Sequence, residues 1–421
     1  MRLSTGILLL TFAAAAAGLV WSIRAVESGG TRDGKRVYVL AAWGAAQEAD
    51  ELRTLVVDPI NAAARNFRVR LAPIPSDYAT KLSTMIAGGT PPEFFYLSQE
   101  HVAAFAAQGA LADLTDRIER DGEPVTDLSQ YYPSVLEQYR HDGRLWGLPW
   151  IAQPVVLYCN VRLFREAAVK LPDRSWRWRH FVAAGKRLTR DLDGDGRIDQ
   201  WGFVQNGWPP CAIWAWQNGG EIVDRRTGRL NLTDPRVAEA MDFYAGLIHR
   251  DRIAPPLSIV GESGFSEMFR AGEVAMFMGG AADDLDRTEG LEVRVAELPA
   301  GPTGLRATFA WSAGLHMSAA VADRDAAFEV YKRILDRIQR WKVPAPRRPL
   351  AARLEEFEPR KAAAADVIRA AMETMRTPHA HPRQSEFETL FWEEFEDKLL
   401  RTGEPAADLA ARAAPVLERL R

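Results

Sequence analysis

The sequence predicts an α/β protein of two packed units. Three observations carry that prediction: a chain of 421 residues, alternating strand and helix patterns in its first third, and a change of pattern at Gly143, where short strands gather around prolines. A single hydrophobic core rarely grows to this size, so two units are expected. The composition, 47% hydrophobic and 26% charged with 31 Gly and 25 Pro, is enough to build sizeable cores. A net charge of -3 lacks the basic footprint of a phosphate-backbone binder, so no nucleic-acid partner is expected.

At the N-terminus, Arg2 precedes an uncharged run over residues 6–23, and the alanines at 13–17 offer small-residue cleavage sites. This is the pattern of an export signal; because the run can also span a bilayer and Arg24 follows it, an uncleaved membrane anchor is the alternative. Residues 35–42 then read as a strand. Residues 48–66 read as a helix with Leu52, Leu55, Val56 and Ile60 at helical spacing. A strand over 68–74 follows, then a helix capped by Asp77 and ending at Gly88-Gly89, then an aromatic strand over 93–97. Strands alternating with helices predict a mostly parallel sheet, whose ligands lie beyond the carboxyl ends of the strands. The segments starting at Trp43 and Ser98 are therefore site candidates.

Beyond Gly143, residues 144–150 and 155–160 read as two short strands separated by a proline-containing link that crosses into the second unit. That unit continues with a helix over 176–190, a strand over 201–204, a Trp-rich segment to Gly220, a hairpin at Thr227-Gly228, a helix over 234–249 and a strand over 274–278. A strand ends near Trp311, residues 315–318 lead into a helix over 323–338, and 362–421 is mostly helical with a break at His379. No internal repeat is visible.

Catalytic signatures are scarce. There is no G-x-S-x-G elbow, H-E-x-x-H pair, P-loop or dinucleotide fingerprint. Adjacent Glu393 and Glu394 point in different directions on a helix and suit a solvated surface better than a glycosidase pair. One loop resembles a calcium site: Asp191, Asp193 and Asp195 alternate, Gly196 follows, and Asp199 takes the ninth position, but Gly202 stands where a bidentate Glu is expected. A structural calcium or a plain Asp/Gly turn both fit. No other cofactor is expected. Cys159 and Cys211 are the two cysteines, and their pairing is left open.

Several phrases together resemble the extracellular solute-binding proteins of ABC importers, the carbohydrate-binding family that includes maltose- and glycerol-3-phosphate-binding proteins. They are Ala87-Gly88-Gly89-Thr90-Pro91-Pro92-Glu93, Gly143-Arg144-Leu145-Trp146-Gly147-Leu148-Pro149, Leu157-Tyr158-Cys159-Asn160, Asn218-Gly219-Gly220 and Phe269-Arg270-Ala271-Gly272-Glu273-Val274-Ala275-Met276, in that order. The resemblance implies a two-lobed periplasmic-binding-protein fold with a hinge and an inter-lobe ligand cleft. Residues 1–33 would be the signal or anchor, 34–151 with 312–355 the first lobe, and 152–311 with 356–421 the second.

It also implies a ligand site at Trp43, Gln47, Gln99, Glu100, Trp150, Gln153, Trp208, Trp216, Asp283 and Trp311. Indole faces suit the apolar C–H faces of sugars, and amides and carboxylates suit their hydroxyls. Trp43, Trp150, Trp208 and Trp311 are expected in loops at element ends, while Trp146, Trp176, Trp201 and Trp341 are expected in core. The family often places a Trp after the strand at 274–278. Here Gly279-Gly280-Ala281-Ala282-Asp283-Asp284 offers carboxylates instead, a departure that leaves the preferred sugar open and admits a more polar or amine-bearing ligand.

The implied function is a monomeric, non-enzymatic periplasmic or extracytoplasmic receptor, free or tethered to the inner membrane by the N-terminal segment. It would deliver a sugar or polyol to an ABC permease. A membrane-anchored glycan-interacting protein and a glycan-active enzyme using the same cleft are the alternatives.

Overall fold

The computed structural model describes residues 31–32, 34–283 and 290–420. The expected export segment at 6–23, together with Asp284, lies outside them. Among the described residues no helix is long and apolar enough to cross a membrane.

Strands β1 (Thr31–Arg32), β2 (Lys35–Ala42), β3 (Phe67–Pro73) and β4 (Phe94–Ser98) open the first lobe. β2 pairs in parallel with both β3 and β4, and residues 38–42 at its end are all buried. The first connection is helical over 46–63, with a π turn at Arg53–Val57 where an extra residue widens the helix. Asp77 precedes the helix Tyr78–Ala87 in a left-handed conformation, and its side chain makes no cap. A small hairpin of β5 (Arg140–His141) and β6 (Arg144–Leu145) leads to the crossing.

The crossing differs from the two short strands expected there. β7 (Leu148–Asn160) is one continuous strand of 13 residues. Its first half pairs antiparallel with β10 (Thr308–Met317). Its second half pairs antiparallel with β8 (Met276–Gly280) and β9 (Val293–Ala296). Pro154 does not end the strand because it stands where β7 leaves β10 for β8. Its missing N–H is not needed at that point, and its carbonyl accepts from the Ala281 N–H at 2.9 Å. β10 continues into the first lobe against β4, and β11 (Met375–Arg376) pairs with its start. A nine-stranded sheet is thus shared between the lobes. The expected parallel pairing holds for β2, β3 and β4 and recurs in the short β10–β11 contact; β7 and β10 pair antiparallel with each other, and both run across the lobe boundary.

Two buried clusters accompany this layout. Residues of alternate faces of β7 divide between them: Val156 and Tyr158 belong to one, Val155, Leu157 and Cys159 to the other. The helix Arg324–Trp341 ties the first lobe together through Tyr331, whose hydroxyl accepts from the Leu148 N–H at 2.8 Å and donates to the Leu315 carbonyl at 2.9 Å. Cys159 and Cys211 are both buried free thiols.

Candidate functional site

A cavity of about 530 Å³ opens between the lobes. The first lobe contributes Gln99 and Glu100, which begin the helix Gln99–Ala107 directly after β4. Phe309 and Trp311 come from β10, two residues apart and so on one face of the strand. The second lobe supplies the segment around Trp208 and Trp216, together with one face of the helix that starts at Gln384.

That helix contributes Gln384, Glu388, Trp392 and Glu396, every fourth position. An α-helix drifts off one face at this spacing, but the last step falls in a π turn at Trp392–Glu396, and the wider turn keeps Glu396 toward the cavity. Gly207 lets Trp392 approach. Its φ is +86°, and a Cβ there would lie 2.2 Å from the Trp392 ring.

The polar groups are mostly acceptors. Gln99 Oε1 accepts from the Ser312 hydroxyl at 2.9 Å, and Ser312 is held in turn by Tyr139 at 3.1 Å. The Ser98 hydroxyl donates to Glu100, and His101 lies 3.9 Å from the same carboxyl. Gln384 Nε2 donates to Glu388 Oε1 at 2.7 Å, which leaves the buried Gln384 Oε1 without a partner. Crowding by the walls raises the Glu388 pKa, although the residue is open to the cavity, and the nearby Glu100 adds to the rise. Glu396 is 5% exposed and accepts from Tyr244 Oη at 2.9 Å. Burial pushes its pKa up to about 7, partly offset by donation from Tyr244 and Cys211.

Of the residues expected from sequence, Gln99, Glu100, Trp208, Trp216 and Trp311 line this cavity, and the other five do not. Trp150 is 3% exposed and lies in a strand rather than a loop. It is the extra residue of a bulge opposite Ala313 and Gly314, and its ring packs 4.8 Å from Tyr96. Its Nε1 and the Tyr96 hydroxyl are buried without partners. Trp311 is likewise in β10, not a loop. Trp43 is half-buried behind the cavity, 6.5 Å from the Trp311 ring and 6.1 Å from Trp150.

Gln47 bonds Glu51 on an exposed helical face. Gln153 accepts from the Ala282 N–H and Asp283 from the Gly280 N–H, so both acceptors serve the turn after β8. Trp176 is buried as expected, while Trp146, Trp201 and Trp341 are partly buried against the first cluster.

In the acidic loop, Asp191, Asp193 and Asp195 bring one oxygen each within 4.8 Å of one another. Asp199 stands apart from that group and accepts from the Leu192 N–H at 2.6 Å. Backbone N–H groups of Gly196 and Gly194 hold the Asp191 carboxyl below its usual range.

Two lobes sharing crossing strands, with an aromatic cavity between them, define a two-lobed receptor class. The sequence profile of bacterial extracellular solute-binding proteins matches residues 45–332, and the chain belongs to that family.

Relatives and solved structures agree. A putative binding protein of Brucella abortus is 26% identical over 261 residues, 59% of this chain and 60% of its own. The matched region thus spans less than two thirds of that relative. The diacetylchitobiose-binding protein DasA of Streptomyces coelicolor is 28% identical over 171 residues, 39% of this chain and 36% of its own. An ABC substrate-binding protein of Listeria monocytogenes, solved in complex with cycloalternan, superposes with a TM-score of 0.77 at 23% identity, covering 91% of this chain and 98% of that one. The sugar-binding protein MalE of Xanthomonas citri gives 0.76 at 20% identity, covering 91% and 97%. At these identities the structural likenesses establish the fold.

Proposed function

We propose that this chain captures a carbohydrate or related polyol in the inter-lobe cavity and hands it, chemically unchanged, to an ABC importer permease. The observation that carries the reading is the wall itself: indole and phenyl rings of Trp208, Trp311, Trp392, Phe309 and Phe391 beside amides and carboxylates. Flat apolar faces next to planar acceptors match a sugar's C–H faces and hydroxyls. The cycloalternan bound to the Listeria protein and the diacetylchitobiose for which DasA is named are carbohydrates, which supports it. The test is a thermal-shift screen over sugars and polyols, with tryptophan fluorescence for each positive and mass analysis of the recovered ligand. No shift across the screen refutes the reading; a recovered ligand cut or modified refutes its non-catalytic part.

Export by the segment at 6–23, cleaved or retained as an anchor, and monomeric action belong to the same reading. Membrane fractionation and size-exclusion chromatography test them. A structural calcium held by Asp191, Asp193 and Asp195 is the reading for the acidic loop. Calorimetry with Ca²⁺ decides it, and no heat at millimolar metal discards it.

A further inference from the structure

The cavity is one-sided in its chemistry. Glu100, Glu388 and Glu396 all face it, and no Lys, Arg or His is among its described lining residues. Glu388 and Glu396 form no ion pair with any described cation. Glu388 receives one hydrogen bond, from Gln384, and Glu396 receives its bonds from Tyr244 and Cys211. The Gln384 amide is fixed by that bond, because its nitrogen must face the carboxylate. The oxygen left over is buried and has no partner, on a residue that is 4% exposed and lines the cavity. An unmade bond at a buried acceptor is costly, so the site is built to receive donors. Trp208, Trp311 and Trp392 add ring faces to the same space, and a ring face beside carboxylates attracts a cation.

We propose that the preferred ligand carries a protonated amine, as an amino sugar or aminocyclitol does, with the ammonium group seated between Glu388, Glu100 and Gln384 Oε1. These are not the carboxylates of the turn after β8, whose Asp283 acceptor serves the Gly280 N–H. An ammonium group supplies three donors to this set, whereas a hydroxyl supplies one and leaves the carboxylates uncompensated. The inference rests on the carbohydrate reading above and deepens it by naming the charge of the ligand.

The test uses matched sugars differing in one substituent: glucose with glucosamine and N-acetylglucosamine, and cellobiose with chitobiose and diacetylchitobiose. Spermidine serves as an amine without a sugar ring. Titration calorimetry is run on the full chain, Glu388→Gln and Glu100→Gln. The free-amine member of a set should bind about tenfold or more tightly than its hydroxyl and N-acetyl counterparts. That preference should shrink in both variants, the free-amine members losing more affinity than the neutral ones.

Neutral or N-acetyl sugars binding as well as the amines overturn this inference and leave the carbohydrate reading standing. No binding by any sugar overturns both. Spermidine binding alone also overturns this inference, since it removes the ring from the recognised ligand. A preference unchanged in both variants places the selectivity elsewhere and overturns the assigned seat.

Discussion

Replacing Glu396 by Gln should change how stability responds to pH. The folded-state pKa is about 7 against an ordinary value of 4.5, so the folded chain keeps this proton across a window in which the unfolded chain has lost it. The native state binds more protons there, and stability falls as pH rises from 4.5 to about 7. A shift of that size corresponds to about 3 kcal/mol.

His316 works in the opposite direction. Burial holds its pKa down to about 4 against 6.5, so stability rises with pH between those values. The wild-type profile alone therefore blends the two. The difference between wild type and E396Q isolates the carboxyl, because Gln is close in shape and does not titrate. Urea unfolding at pH 5 and pH 8 should show E396Q gaining about 2–3 kcal/mol on wild type between the two conditions, since part of the shift lies below pH 5. A difference that stays the same at both pH values refutes the assignment of a buried, proton-holding carboxyl at the cavity wall.

Three further outcomes are expected. Gly207→Ala sets a Cβ against Trp392 at a positive φ and should lower stability by about 1–3 kcal/mol while weakening ligand affinity; unfolding curves with wild-type midpoints count against the close approach. Trp208→Ala should weaken binding of any sugar found by the screen about tenfold, measured by calorimetry, with the fold retained because the ring is only half-buried. Cys159 and Cys211 are buried, and burial raises both thiol pKa values, so a thiol reagent should react with neither until denaturant is added and then count two. A count of zero in denaturant would mean a disulfide.

Sequence patterning located the three parallel strands within a residue or so, because each is an apolar run bounded by turn residues and followed by a helical period. It split β7 at Pro154, since proline removes a ladder donor and a single sequence does not show that this donor is unneeded where the strand changes partners. Trp150 misled for a related reason. A strand read as ending at 150 leaves its indole in a loop, whereas β7 runs on past it and the bulge opposite Ala313 and Gly314 leaves the ring buried. On the site, the loops at Trp43 and Ser98 follow from the carboxyl-end rule, and one of the two, at Gln99 and Glu100, reaches the cavity. The C-terminal helix was missed. Gln384, Glu388, Trp392 and Glu396 recur every four residues, but a solvated helical face and a cavity wall read alike until the partner surface is known. Its π turn also has no signature in residue type.

The central claim, a carbohydrate receptor with its ligand between the lobes, is tested most directly by titrating the purified chain with the sugars and amino sugars that shift its melting temperature, following tryptophan fluorescence. The account predicts saturable binding of one ligand per chain with a change in fluorescence, lost or sharply weakened in Trp208→Ala. Saturable binding that leaves both the fluorescence and the Trp208→Ala affinity untouched would contradict it.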